Sequence, residues 1–283
     1  GIVGYANSEI KDATFLKGII QANSSDENYA GGIVGYTVSR VTIGTVKNAT
    51  ISGHYAGGIA GCINISENST LTFSNIKGGV GKTTLCALFA SFLAEKGIPV
   101  FAMDADLQAS LYRHRQREKN VDPDTSAPWA VEMLNTSDGK TLEETIAKLK
   151  SVPGVVLIDC PGNLNDRNLE HIYKAADVAV IPMSFDADTV DATGIFIKAF
   201  KTISNAKLLF APNRINTSEG KAEELRQRTQ TTEFLGLVGT VLPRIKQSVV
   251  VKRYTTLYPL ERNQNSAVES TFDTIIQELN IKE

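Results

Sequence analysis

Lys77-Gly78-Gly79-Val80-Gly81-Lys82-Thr83-Thr84 gathers three glycines, two lysines and two threonines into eight consecutive positions. Glycines let a backbone turn its N–H groups toward one anion without Cβ clashes. A lysine in such a loop carries a full charge to β- and γ-phosphates, and the hydroxyl after it binds Mg²⁺. Here those residues are Lys82 and Thr83, so ATP and Mg²⁺ are the expected cofactors. The plainer reading is a glycine-rich turn with no ligand. Three carboxylates close apolar runs further on: Asp104 and Asp106 after Val100-Phe101-Ala102-Met103, and Asp159 after Val155-Val156-Leu157-Ile158. Phosphoryl transfer needs positioning and charge, and a carboxylate near the γ-phosphate can align water. The plainer reading makes Asp104 and Asp106 caps of the next helix and Asp159 the start of a turn.

These residues need a scaffold, and the flanking patterns supply one. The apolar run Leu71-Thr72-Phe73 precedes the loop and a helical pattern, Leu85 to Lys96, follows it. A strand, a glycine loop and a helix in that order form the context that a phosphate-binding loop requires. The helix N-terminus adds unpaired N–H groups and partial positive charge. Further strands are predicted at 100–104, 155–159, 178–182, 207–211 and 237–242, with one more at 129–133. Helical patterns separate them at 142–150, 169–176, 190–204, 218–228 and 267–279. Continuous apolar strands between amphipathic helices predict an α/β fold, a mainly parallel doubly wound sheet covered on both faces. Ligands then sit at the carboxyl ends of the strands, where Asp104, Asp159 and Asn213 all fall.

The loop departs from the general phosphate-loop pattern, which places glycine five residues before Gly81; Ile76 stands there, followed by an additional lysine, Lys77. This Lys-Gly-Gly-x-Gly-Lys-Thr form resembles the deviant Walker A loop of the ParA/MinD ATPases. The resemblance implies a P-loop NTPase domain over about 69–283 that hydrolyses ATP with Mg²⁺. It places Lys77, Gly78, Gly79, Val80, Gly81, Lys82, Thr83 and Thr84 around the nucleotide. In this family the lysine at position 77 crosses a dimer interface to the partner's nucleotide, so the ATP state is a homodimer. By the same resemblance Asp106 orients or deprotonates the attacking water, Asp104 supports the Mg²⁺ shell, and Asp159 holds a Mg²⁺-bound water. Relatives place proline where Leu107 and Gly162 stand here. An asparagine at the position of Asn213 contacts adenine in relatives, and Pro243 belongs beside the base. Arg244, Lys246, Lys252 and Arg253 match the region that meets DNA phosphates.

The implied function is that of the small ParA proteins. ATP-bound dimers would bind DNA without sequence preference, and a ParB-like protein would stimulate hydrolysis during plasmid or mobile-element partition. Two alternatives stand beside it. A MinD-type ATPase would position cargo on a membrane through a basic amphipathic tail. In the tail here Phe272, Ile275, Ile276 and Leu279 line one face, but the opposite face is acidic, which predicts a helix docked on the core. The other alternative is a repeat-bearing interaction protein with a vestigial ATPase.

Composition bounds the rest. The chain has 283 residues and a net charge of −2, so any DNA contact must come from a local patch. Cys62, Cys86 and Cys160 are scattered without a Cys-x-x-Cys pair, which disfavours zinc and iron–sulfur sites. No apolar run approaches the roughly 18 residues of a membrane span. A cytoplasmic location is expected for the ATPase domain. Residues 1–68 read differently. Tyr29-Ala30-Gly31-Gly32-Ile33-Val34-Gly35-Tyr36 recurs as Tyr55-Ala56-Gly57-Gly58-Ile59-Ala60-Gly61-Cys62, and Gly1-Ile2-Val3-Gly4-Tyr5 is the same unit cut short. Alternating runs between glycine and asparagine turns predict β structure. The unit resembles GLUG-type repeats, which implies coils of a β-solenoid of cell-surface origin.

Overall fold

The computed structural model describes residues 68–163, 166–216 and 222–279 with their side chains, and the backbone of nine strands that precede them. The chain divides into two compact units, Gly1–Glu67 and Asn68–Ile281. In the first, the strands are β1 (Val3–Ala6), β2 (Ile10–Phe15), β3 (Gly18–Gln21), β4 (Tyr29–Gly31), β5 (Val34–Thr37), β6 (Val41–Val46), β7 (Ala49–Ser52), β8 (Tyr55–Gly57) and β9 (Ala60–Ile63). They pair in parallel as β1–β5–β9, β2–β6, β3–β7 and β4–β8. The register sets Tyr29 opposite Tyr55 and Tyr5 opposite Tyr36.

The second unit is built on seven parallel strands: β10 (Asn68–Phe73), β11 (Val100–Asp104), β12 (Ala130–Met133), β13 (Gly154–Asp159), β14 (Val178–Met183), β15 (Lys207–Pro212) and β16 (Thr240–Val241). Their order across the sheet is β12-β11-β13-β10-β14-β15-β16. Every residue of β13 and β14 is buried, as expected for strands covered on both faces. The helices are α1 (Lys82–Glu95), α2 (Ser110–Val121), α3 (Gly139–Lys150), α4 (Leu169–Ala175), α5 (Ala187–Ile203), α6 (Ala222–Gly236), α7 (Val249–Lys252) and α8 (Arg262–Glu278).

Two aromatic clusters hold helices to the sheet. Phe272 of α8 meets Phe89 and Phe92 of α1 edge-on, with ring centroids 5.0 and 5.4 Å apart. Tyr173 of α4 meets Phe200 of α5 at 5.1 Å, in a core shared with Leu142 and Ile146 of α3. Rings of this size bury large apolar areas, and their edge-on contacts add to the packing of helices on the sheet. The predicted core-docked last helix is present: Phe272, Ile275 and Ile276 are all buried.

Chain direction creates the site. The chain leaves β10 toward β11 on one side, then crosses from β13 over β10 to β14 on the other. Opposed crossovers leave a crevice at the carboxyl end of β10, where ligands bind in such sheets. The ladder sets Phe73 of β10 level with Asp159, and Asp159 level with Asp104.

Two expectations need correction. The strand predicted at 237–242 is only Thr240–Val241; residues Val238 and Gly239 instead donate to the carbonyl of Leu235 and close α6. Leu237 is left on the surface, so its apolar type misread the boundary. The helix predicted at 218–228 extends to Gly236, and residues 217–221 lie outside those described. The basic run 112–119 of α2 also contributes one charged side chain to the interior. Arg115 is buried, its guanidinium donating to the Trp129 and Thr256 carbonyls and to the Thr256 hydroxyl. Cys62 and the repeat motifs at 29–36 and 55–62 lie outside the described side chains.

Candidate functional site

The loop from Ile76 to Gly81 joins β10 to α1 and is fixed at its base by Asn75. Asn75 is buried; its amide donates to the Pro182 carbonyl (2.9 Å) and to the Thr193 hydroxyl (3.1 Å). Its side-chain oxygen accepts from the Lys77 N–H at 3.1 Å. One polar side chain therefore ties the loop to both β14 and α5. In the sequence, Asn75 is marked only as a polar residue just past an apolar strand.

Gly79 and Gly81 take positive φ, +77° and +102°, which lets the loop curl back on itself. A Cβ on Gly81 would also collide with the Asn213 amide. Gly81 stands at the N-cap of α1, with no side-chain cap and no acidic residue in the first turn. That helix end is open to an anion.

Lys82 and Lys77 face different ways. Lys82 is only 8% exposed and donates to the Lys77 carbonyl at 3.1 Å, closing the loop into a cradle. Burial lowers its pKa, and the Asp159 charge works against that shift. A Cβ on Gly162 would stand 3.3 Å from its ammonium, so glycine at that departure from the family pattern leaves it room. Lys77, by contrast, turns outward and pairs with Asp188 of α5 at 3.2 Å.

Asp159 lies at the floor of the cradle. It is 1% exposed, and among the described residues neither carboxylate oxygen has a hydrogen-bond partner. Burial pushes its pKa up to about 8; the Thr83 hydroxyl faces it and holds the value down without closing a full hydrogen bond on either oxygen. A buried carboxylate without partners is costly unless something cationic or protic joins it. Thr83 and Asp159 together fit the needs of a Mg²⁺ ion, which keeps several waters and takes few protein ligands.

Asp104 is fully buried and occupied. One oxygen accepts from the Leu111 and Tyr112 N–H groups of α2 (2.9 and 3.0 Å), and the other from Asp106 N–H (3.1 Å). This is the helix-capping geometry that the sequence offered as the plainer reading. Burial still raises its pKa, against those three bonds. Asp106 is half-exposed at the same edge, with one oxygen accepting from Gln108 N–H at 2.9 Å. Leu107, where relatives place proline, is 92% exposed.

Asn213 is buried at the end of β15 and donates to the Val80 carbonyl at 2.8 Å, so it braces the loop from the far side. Arg214 follows in the left-handed region, φ +59°, beside Gly79. Pro243 is half-buried, and its carbonyl accepts from Thr271 of α8 at 3.0 Å. Arg244 is exposed, its guanidinium 6.0 Å from the Phe185 ring centre, and Arg253 is exposed beyond α7. Lys246 and Lys252 are exposed too, but they line a small hollow together with Gly81, Thr84 and Asn213. Thus the structure gathers the predicted loop residues, Asp104, Asp106, Asp159 and Asn213 at one sheet edge.

Residues 71–248 match the family model described as the CobQ/CobB/MinD/ParA nucleotide binding domain. Among curated proteins, a candidate replication protein A from Rhizobium rhizogenes is 36% identical over 103 residues, 36% of this chain. The match spans only 24% of that relative's length. Among solved structures, an ATP complex of Cyanothece McdA superposes with a TM-score of 0.61 at 17% identity, over 77% of this chain and 98% of that one. A candidate plasmid partition protein from Borrelia burgdorferi B31, bound to AMPPNP, gives a TM-score of 0.58 at 19% identity, over 75% of this chain and 100% of that one. Likeness at such identities shows a shared fold.

Proposed function

The chain belongs to the CobQ/CobB/MinD/ParA nucleotide-binding family, and from that premise we propose that it is an ATP-hydrolysing switch of the ParA type. The observation that carries the reading is the division of labour between the two loop lysines. Lys82 is buried over the phosphate cradle, whereas the Lys77 ammonium points outward, where a second copy's nucleotide can meet it. A loop built only to hold its own ATP has no need of the outward lysine.

On this reading the loop N–H groups and the open end of α1 bind the polyphosphate, and Lys82 neutralises it. Thr83 and Asp159 hold Mg²⁺, which when bound neutralises the β- and γ-phosphate oxygens. Asp106, half-exposed at the edge, aligns the attacking water and takes its proton. Asp104 holds the start of α2, and with it the Asp106 backbone, in place. Asn213 and Pro243 flank the base. Two ATP-bound copies then form a dimer that hydrolysis dissolves, a population shift driven by the nucleotide.

The dimer would bind duplex DNA without sequence preference, through exposed cations of the 244–253 segment, and a ParB-like protein would stimulate turnover during plasmid or mobile-element partition. The Borrelia partition protein's fold and the Rhizobium relative's name support that setting. The membrane-positioning alternative is weakened because the apolar face of α8 is occupied within the fold. Among the described residues no helix is long and apolar enough to cross a membrane. For residues 1–68 the reading is a GLUG-type solenoid segment, supported by the parallel pairing of repeat-related strands.

The test is binding of the full chain to random-sequence duplex DNA with ATP and with ADP across a salt series. Binding only with ATP, falling steeply with salt, is the expected result. ATP hydrolysis with no DNA binding in either state would overturn the partition reading.

A further inference from the structure

The hollow beside the loop separates two of the cations assigned to DNA from the other two. It has a volume of about 20 Å³ and is lined by Gly81, Thr84, Asn213, Lys246, Ser248 and Lys252, among others. Four chain segments converge there: the first turn of α1, the end of β15, the strand-like segment at 245–246, and α7. Among the described residues no acidic side chain lines it, so its cations raise a local positive potential.

Both lysines stand on anchored backbone. Lys246 bridges in parallel to Ile215, and the neighbouring Ile245 is fully buried, with its N–H donating to the Pro212 carbonyl at 2.8 Å. Lys252 ends α7, which is capped by Ser248 and tied to α8 where Gln264 donates to the Val250 and Arg253 carbonyls at 3.1 Å each. Val251, between them, is buried. From these fixed points both lysines line the same hollow as Thr84, one residue past the Thr83 that faces Asp159.

That position matters because the loop orders a nucleotide along its length. The loop's backbone N–H groups cradle the α- and β-phosphates, Lys82 reaches the β- and γ-phosphates, and the Thr83 hydroxyl meets the metal. A cation beside Thr84 and Asn213 therefore meets the α-phosphate and the ribose rather than the scissile end. We propose that Lys246 and Lys252 are nucleotide-binding residues that hold the α-phosphate and ribose of a nucleoside di- or triphosphate seated in the loop, and not DNA-backbone contacts. The inference rests on the nucleotide reading of the loop and deepens it. It leaves Arg244 and Arg253, which do not line the hollow, as the DNA candidates of this segment.

The experiment is calorimetric titration of the full chain with ATP and with ADP, in wild type, in Lys246→Ala with Lys252→Ala, and in Lys246→Arg with Lys252→Arg. Both lysines are exposed, so folding is retained, and the arginine pair keeps the charge. The alanine pair should weaken ATP and ADP by a similar factor, about tenfold or more for lost charge-assisted contacts, because both nucleotides carry an α-phosphate. The arginine pair should recover most of that affinity. Unchanged affinity in the alanine pair, with wild type binding normally, would overturn this inference alone. Wild type that binds neither nucleotide would overturn the reading of the loop as well.

Discussion

Lys77 Nζ lies 3.2 Å from Asp188 Oδ2, and the pair joins the phosphate loop to the first turn of α5. The two side chains are 37% and 82% exposed, so the contact contributes under about 1 kcal/mol to folding. Its weight lies in what Lys77 is free to do. If Lys77 serves a second copy's nucleotide, Asp188 competes for it. Asp188→Ala should leave thermal unfolding unchanged and lower the ATP concentration at which dimers form. Lys77→Ala should abolish ATP-induced dimers. Light scattering over an ATP titration reads both, and a Lys77→Ala protein that still dimerises would remove the cross-interface role.

Asp159 makes stability depend on pH in a definite direction. Its folded pKa, about 8, lies above the ordinary carboxylate value of the unfolded chain. Between those two values the folded chain binds a proton that the unfolded chain does not, so stability falls as pH rises through that window. Asp159→Asn removes the ionisation and nearly keeps the shape. Without nucleotide, the variant's melting temperature should fall less steeply between about pH 5 and pH 8, and should exceed that of wild type near the upper end. The same variant should lose Mg²⁺-dependent ATP binding. A parallel melting profile for the two proteins would show that Asp159 is ionised in the folded state throughout.

The two carboxylates at the end of β11 should separate experimentally. Asp104 accepts three backbone N–H groups, two of them from α2, so Asp104→Ala should cost about 2 kcal/mol of stability or more. Asp106→Asn should unfold like wild type and still bind ATP, while hydrolysis drops by about 100-fold or more. Denaturant melts with a phosphate-release assay distinguish these outcomes. Full turnover in Asp106→Asn would move the water-aligning role elsewhere.

Phe272 is fully buried against Phe89 and Phe92. Phe272→Ala should destabilise the fold by about 3–5 kcal/mol. Wild type should not sediment with liposomes in ATP. ATP-dependent sedimentation would revive the membrane alternative and require α8 to leave the core.

Much of the site was legible because its signals are local. The glycine spacing, Lys82 and Thr83 fix a loop whose chemistry follows from residue type, and apolar runs that end in acid mark strand ends. The roles of Asn75 and Asp188 were not legible. Each acts on a residue brought near by the sheet, Asn75 on Pro182 and Thr193, Asp188 on Lys77, across more than a hundred positions of chain. Lys246 and Lys252 could not be told from Arg244 and Arg253 for a related reason. Exposed cations in a basic run look alike in sequence, and the bridge of Lys246 to Ile215 and the hollow that Lys246 and Lys252 share with Gly81 and Thr84 arise only in the fold. The end of α6 was missed because Leu237 is apolar yet exposed.

The level pairing of Phe73 with Asp159 works as a ruler. The distance from the loop's point of departure to the buried carboxylate is set by a ladder of main-chain bonds, which any side chains of suitable bulk can support. Substitutions scattered through the helices leave that distance alone, whereas one residue inserted into β10 or β13 would shift it by about 3.3 Å and turn the carboxylate to the other face. Divergence can therefore run deep here, down to the 17% identity shared with a protein of like fold, as long as the count of residues along two strands is kept.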